Sequence, residues 1–343
     1  MIPHARHVIT DDDRAAVMAV LDSPRLTQGE KVAEFEAALC AASGARYAVA
    51  VSSGSAALWC VAGVRARAAA AVGKRIRMTV PAITFVATAN AFALHGAEVV
   101  IGDIDPITWC CMKAHGVVPV TFAGYPCEAD DTTLTVDAAH GPLRKGSELM
   151  RCLSFHPSKA FTTGEGGAVL TDNEEVRDDL CRWRDNGRAT MIEQPQFAGL
   201  NLRMSDIHAA LGISQLRKYG AWQARRRDIA AHYRREFAGI DGLVMQADHP
   251  EHAYHLFVLW IDAGARRWNA GARDLVRAHL DALGVGTQIH YEPLYRLPEY
   301  VDTPSRYHNA ERYYAGCLSI PMSHTLTDGE VEHVVKSVKE VLA

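Results

Sequence analysis

Ser154-Phe155-His156-Pro157-Ser158-Lys159-Ala160-Phe161-Thr162-Thr163-Gly164-Glu165-Gly166-Gly167-Ala168 sets one lysine between a small polar run and a glycine-rich turn. The apolar strand Ala168-Val169-Leu170-Thr171 follows at once. A lysine that attacks a carbonyl must be held near it and partly shielded from water, which favours the neutral amine. A tight turn at a strand end does both, and its glycines let a ligand approach the backbone closely. Taken alone, such a lysine is more often a solvated surface residue, so the neighbouring runs have to decide.

Upstream, Leu134-Thr135-Val136-Asp137-Ala138-Ala139-His140-Gly141 is a short β-branched run ending in an acid. Further upstream, Val49-Ala50-Val51-Ser52-Ser53-Gly54-Ser55-Ala56-Ala57-Leu58 reads as strand, polar turn and helix. These are the parts of a pyridoxal phosphate (PLP) site. In such a site a lysine forms the Schiff base, a carboxylate pairs with the pyridinium nitrogen, and a helix N-terminus of small residues takes the phosphate.

With these motifs the chain resembles the DegT/DnrJ/EryC1/StrS aminotransferases, PLP enzymes that aminate keto sugars carried on nucleotides. The matching runs are Ser53–Leu58, Pro81–Asn90, Asp103-Ile104-Asp105-Pro106, Asp137–His140, Ser154–Gly167, Gly199–Asp206 and His290-Tyr291-Glu292-Pro293, in the family's order. The resemblance implies an aspartate-aminotransferase-like PLP fold of type I, with a large PLP-binding domain over 1–220 and a smaller C-terminal α/β domain over 221–343. It also implies roles. Lys159 bonds the cofactor and moves the substrate proton. Asp137 holds the ring nitrogen, and His140 lies near the ring's phenolic oxygen. Phe85 stacks on the ring. The Ser55 and Ala56 N–H groups, with the Ser55 and Ser154 hydroxyls, hold the phosphate. Asn201 completes that cradle from a partner subunit, which implies a homodimer. His290 and Tyr291 lie near the sugar, and Arg203 is a candidate for gripping the donor's carboxylates. Lysine at 159, where some members have histidine and dehydrate their substrate, implies transamination from L-glutamate.

The rest of the chain fits a globular enzyme. It has 343 residues, 48% hydrophobic and 22% charged, with a net charge of −4 that offers no footprint for nucleic acid or membrane. The eight cysteines form no C-x-x-C pair, so neither a zinc site nor a redox motif is expected, and the histidines lack metal-ligand spacing. The N-terminus lacks the apolar core of a signal peptide, and a cytoplasmic protein is expected. Strands alternate with helices, which predicts a mainly parallel sheet. A long amphipathic stretch is expected from Ile213 to Phe237, with Arg225-Arg226-Arg227 on its solvated face. Strands are expected at His255–Ile261 and Gly286–Tyr291. The run 117–122 is followed by residues 123–132, rich in turn formers, which predict a crossover without a full helix.

Within the family, Ile83–Asn90, Tyr254–Val258 and Ser319–Met322 look most like the pseudaminic-acid pathway transaminase, which aminates C4 of a UDP-linked 4-keto-6-deoxy-N-acetyl sugar. A GDP- or dTDP-linked keto sugar, a trimmed PLP-binding regulatory homologue without turnover, and a PLP lyase or decarboxylase are the alternatives.

Overall fold

The computed structural model describes residues 1–343 except 113–115, 128–133, 189, 191, 263–270 and 343. The chain opens with two helices, α1 (Asp11–Leu21) and α2 (Glu30–Ser43). There follow β1 (Tyr47–Val51), α3 (Gly54–Ala71), β2 (Arg77–Pro81), α4 (Ala87–Ala93) and β3 (Glu98–Gly102). Then come β4 (Thr135–Asp137), β5 (Met150–Ser154), β6 (Gly167–Thr171), α5 (Glu174–Arg184) and α6 (Asp206–Leu216).

These strands make one continuous ladder. Strands β2 and β3 pair in parallel, and β1-β6-β5-β4 form a second block. The run 117–120 joins them, bridging Thr79 on one side and Asp137 on the other, both in parallel. Within the ladder only β6 runs antiparallel to its neighbours. The period-two alternation of a strand sends its residues to opposite faces. Val49, Val51, Cys152 and Val169 pack with α3, α4 and α5, while Ala48, Ala50, Leu153 and Leu170 pack with α2 and α6. The described part of the crossover after 117–120 holds a short 3-10 turn, Phe122–Gly124. That end is covered by an apolar cluster that includes Phe122, Trp109, Leu256 and Tyr313. The rest of that predicted segment, 128–132, lies outside the described residues.

The C-terminal part comprises α7 (Tyr219–Phe237), β7 (Leu243–Met245), β8 (Phe257–Ile261), α8 (Ala272–Ala282), α9 (His308–Gly316), β9 (Cys317–Ile320) and α10 (Asp328–Leu342). An antiparallel sheet β7-β8-β9 packs on Ile229, Tyr233 and Phe237 of α7, Val276 and Leu280 of α8, and Val334 and Val338 of α10. Ile2 joins this core, its N–H donating to Gly284 O at 2.7 Å and its carbonyl accepting from Gly286 N at 2.9 Å.

Three expectations need correction. The stretch 213–237 is two helices, because Ser214, Gln215 and Lys218 turn together onto the buried carboxylate of Asp13. Arg226 is not on a solvated face. It is 1% exposed and donates to the carbonyls of Tyr254 and Met322, each at 3.1 Å, tying three segments together. Residues 286–291 form no strand. They contribute one bridge, Gln288 to Ser319, before the chain turns into the cleft.

Candidate active site

The cleft lies where β4, β5 and the start of α3 meet. It has a volume of about 450 Å³, and its walls include Ser55, Phe85, Asp137, His140, Ser154, Lys159 and Tyr291. The structure therefore brings together, from five separate segments, most of the residues that the sequence singled out.

Lys159 sits in the turn after β5. Its N–H donates to His156 O at 2.8 Å, and its amine makes no hydrogen bond or ion pair among the described residues. Burial pushes its pKa from the ordinary value down to about 8, against the pull of the Asp137 charge. Asp137 ends β4 fully within the cleft floor. Its Oδ2 accepts from Thr88 Oγ1 at 2.7 Å and its Oδ1 from Ala139 N at 3.0 Å. Burial raises its pKa, with the Thr88 and Ala139 hydrogen bonds and the Lys159 charge opposing. For both groups, desolvation outweighs their mutual attraction.

The start of α3 forms a cradle. The Ser53 hydroxyl caps the helix by accepting from Ala56 N at 3.0 Å. The Ala56 N–H is thereby engaged, and the N–H groups of Gly54 and Ser55 are the ones without an intrahelical acceptor at this N-terminus. Gly54 is required by packing, since a Cβ there would lie 2.7 Å from Ser154 Cβ. Gly167 is required likewise, because a Cβ would meet the Ser53 carbonyl at 2.4 Å. Two glycines thus let the strand end carrying Ser154 close on the helix start. Phe85 is 56% exposed, a large apolar ring kept open at the cleft and 6.0 Å from the Tyr291 ring.

His140 is buried, with its Nε2 3.2 Å from the Tyr291 hydroxyl. Burial, reinforced by the Lys159 charge, holds its pKa well below the usual histidine range. His290 is not part of the cleft wall. Its Nδ1 is bonded to Ser319 Oγ at 2.8 Å, its ring faces His4, and burial lowers its pKa to about 3. Asn201 is exposed and outside the cleft lining; its neighbour Leu202 accepts from Ser52 N at 2.8 Å, so the segment runs along the edge of β1. Arg203 is ion-paired with Asp185, away from Lys159. Sequence reasoning assigned no role to Thr88, which orients Asp137, although Thr88 lies four residues after Thr84 in the quoted run, one helical turn apart. It also passed over His156, Ser158 and Glu165, which line the cleft mouth.

The residues present fit PLP. A free buried amine, a buried carboxylate aimed from a strand end, an open aromatic and a helix N-terminus with unused N–H groups surround one cavity of suitable size. The comparisons agree. The model of the DegT/DnrJ/EryC1/StrS aminotransferase family matches residues 7–339. The chain is similar to the spore coat polysaccharide biosynthesis protein SpsC of Bacillus subtilis, 30% identical, with 99% of this chain and 97% of that protein covered. That match spans 387 residues, longer than the chain itself, so the relative carries extra internal residues. Among solved structures, Helicobacter pylori PseC, an aminotransferase of pseudoaminic acid biosynthesis, superposes with a TM-score of 0.88 at 25% identity over 99% of both chains. DesV of S. venezuelae does so with a TM-score of 0.86 at 26% identity, over 98% of this chain and 99% of that one. The chain belongs to the DegT/DnrJ/EryC1/StrS family and is a PLP-dependent sugar aminotransferase of the α/β aminotransferase fold.

Proposed function

We propose that this enzyme transfers the amino group of L-glutamate to C4 of a UDP-linked 4-keto-6-deoxy-N-acetylhexosamine. The observation that carries the reading is the cleft of about 450 Å³ in which Lys159, Asp137 and Phe85 converge. The likeness to PseC supports the choice of sugar. A homodimer, with Asn201 reaching the partner's site, is part of the proposal: Asn201 is exposed beside the strand that leads into the phosphate turn.

PLP, when bound, supplies an aldehyde that receives the amino group and a ring that stores the electron pair released at the substrate carbon. This chain's residues do the rest. Lys159 Nζ holds the cofactor, and once displaced it takes and returns the proton at the substrate carbon. Asp137, fixed by Thr88 and Ala139, would pair with the ring nitrogen of the bound cofactor and keep its proton in place. The N–H groups of Gly54 and Ser55 and the hydroxyls of Ser55 and Ser154 hold the phosphate at the positive end of α3. Phe85 would cover one face of the bound ring and exclude water from it.

The test is a panel of nucleotide-linked keto sugars offered to the glutamate-charged enzyme, with product read by mass spectrometry. The UDP-4-keto-6-deoxy-N-acetyl sugar is expected to be aminated fastest. Faster turnover of a GDP- or dTDP-linked sugar would replace the substrate named here while leaving the reaction type intact.

A further inference from the structure

Tyr291 and His140 form the one hydrogen-bonded pair of a phenol and an imidazole on the cleft wall among the described residues. His140 is 7% exposed, and its Nδ1 has no hydrogen-bond partner among the described residues. The ring packed on it is His255, 4.2 Å away between centroids. A buried N–H without an acceptor costs more than a bare lone pair, which is why orphaned donors are the rarer kind. The network therefore assigns the His140 proton to Nε2, which donates to the Tyr291 oxygen. The Tyr291 hydroxyl keeps its own proton, and the cleft is where that proton can be given.

We propose that Tyr291 is a catalytic residue that carries protons to and from the oxygen atom exchanged in each half of the reaction, with His140 as its positioning residue. This rests on the aminotransferase reading and deepens it. Passing an amino group to a ketone breaks the C=O bond, forms a C=N bond and releases the oxygen as water. The two protons of that water start on the incoming amine nitrogen. Tyr291 acts twice, once as the nitrogen adds to the carbon and once as water leaves: each time it gives its hydroxyl proton to the oxygen and takes one from the nitrogen, so it ends as it began and no other reactant is needed. The charge that develops on the phenolate oxygen is met by the His140 Nε2–H. On the glutamate side the same steps run in reverse and place water's oxygen in 2-oxoglutarate. Lys159 handles a different proton, the one on the substrate carbon. Burial keeps Tyr291 protonated at rest by raising its pKa, and keeps His140 neutral. The charged and titratable groups facing the pair are Lys159, Asp137, His290 and His255.

The two protons can be followed separately. In deuterated water, exchange of the glutamate α-hydrogen, read by proton NMR, reports Lys159, while net formation of 2-oxoglutarate reports the oxygen step. Tyr291→Phe is expected to bind PLP with the parent's visible band and to exchange the α-hydrogen at the parent's rate. Its 2-oxoglutarate formation should fall by about 10²- to 10⁴-fold, the usual worth of a proton-transfer group. His140→Leu carries the same comparison in a second variant, and His140→Gln, which keeps an N–H donor, should lose less. Equal loss of exchange and conversion in Tyr291→Phe and His140→Leu, or no loss of conversion in either, overturns the proposal. Failure of the parent protein to exchange the α-hydrogen overturns the aminotransferase reading itself, and the proposal falls with it.

Discussion

Lys159 sits between two opposed influences, burial that favours its neutral amine and the Asp137 charge that favours the ammonium, and burial wins, leaving a pKa of about 8. The neutral amine is the form that attacks the PLP aldehyde. Because the folded value lies below the ordinary lysine value, the amine is protonated below pH 8 and free above it. The rate at which apo protein captures PLP should therefore rise with pH up to about 8 and then level off, as read by growth of the visible band. A rate still climbing towards the ordinary lysine value would show that the amine is solvated. Lys159→Ala should lose transamination, by at least about 10³-fold if it is the proton carrier, while retaining weak, non-covalent PLP binding. Lys159, Asp137 and Phe85 were legible because each lies in a short run whose neighbours have one sensible use. The Thr88–Asp137 and Tyr291–His140 bonds were not, because they join residues 49 and 151 positions apart. His290 was misread for a local reason. It was grouped with its neighbour Tyr291, but the two rings stand at 89° to one another and only Tyr291 lines the cleft.

The start of α3 is the element that joins fold to chemistry. A serine cap and two packing glycines hold its N–H groups at the cleft, so one substitution should act on stability and another on binding. Ser53→Ala removes the bond to Ala56 N and should cost about 1 kcal/mol, seen as a lower thermal midpoint of the apo protein. Gly54→Ala forces a methyl group into Ser154 and should open the cradle, weakening PLP affinity more than it lowers the melting temperature of the apo protein. An unchanged PLP dissociation constant in Gly54→Ala would mean that the phosphate is held elsewhere. Strand, polar turn and helix were readable here because the periodicity changes within a few residues. The break between α6 and α7 was not, since it depends on Asp13, brought from α1 some 200 positions away. Nor was the burial of Arg226, whose acceptors are backbone carbonyls contributed by distant segments. An arginine held by carbonyls has no complementary acid in the sequence to betray it.

At the scale of the molecule, the proposed dimer makes a sharp demand. If Asn201 serves the neighbouring site, Lys159→Ala and Asn201→Ala chains damage different halves of each site. A mixed dimer then holds one site with neither change. Mixing equal amounts of the two variants should restore PLP retention and glutamate turnover towards about a quarter of the parent level, since half of the dimers are mixed and each holds one intact site, and light scattering should report a dimer. No recovery on mixing, or a monomer that retains PLP, would place Asn201 outside the site. The α/β class and the mainly parallel ladder followed from alternating strands and helices. The antiparallel three-stranded sheet of the C-terminal part was only partly legible, because β7 and β9 are three and four residues long and their pairing is set by burial against α7 and α10 rather than by local pattern.

The central claim is that Lys159 and Asp137 bind PLP in a site that accepts an amino group from glutamate. The most direct test is the visible spectrum of the PLP-loaded protein before and after addition of L-glutamate, without a sugar. A yellow band is expected, which glutamate bleaches as the amino form of the cofactor and 2-oxoglutarate appear in equal amounts. A protein that stays colourless with PLP supplied, or a yellow band that glutamate leaves unchanged, would contradict it.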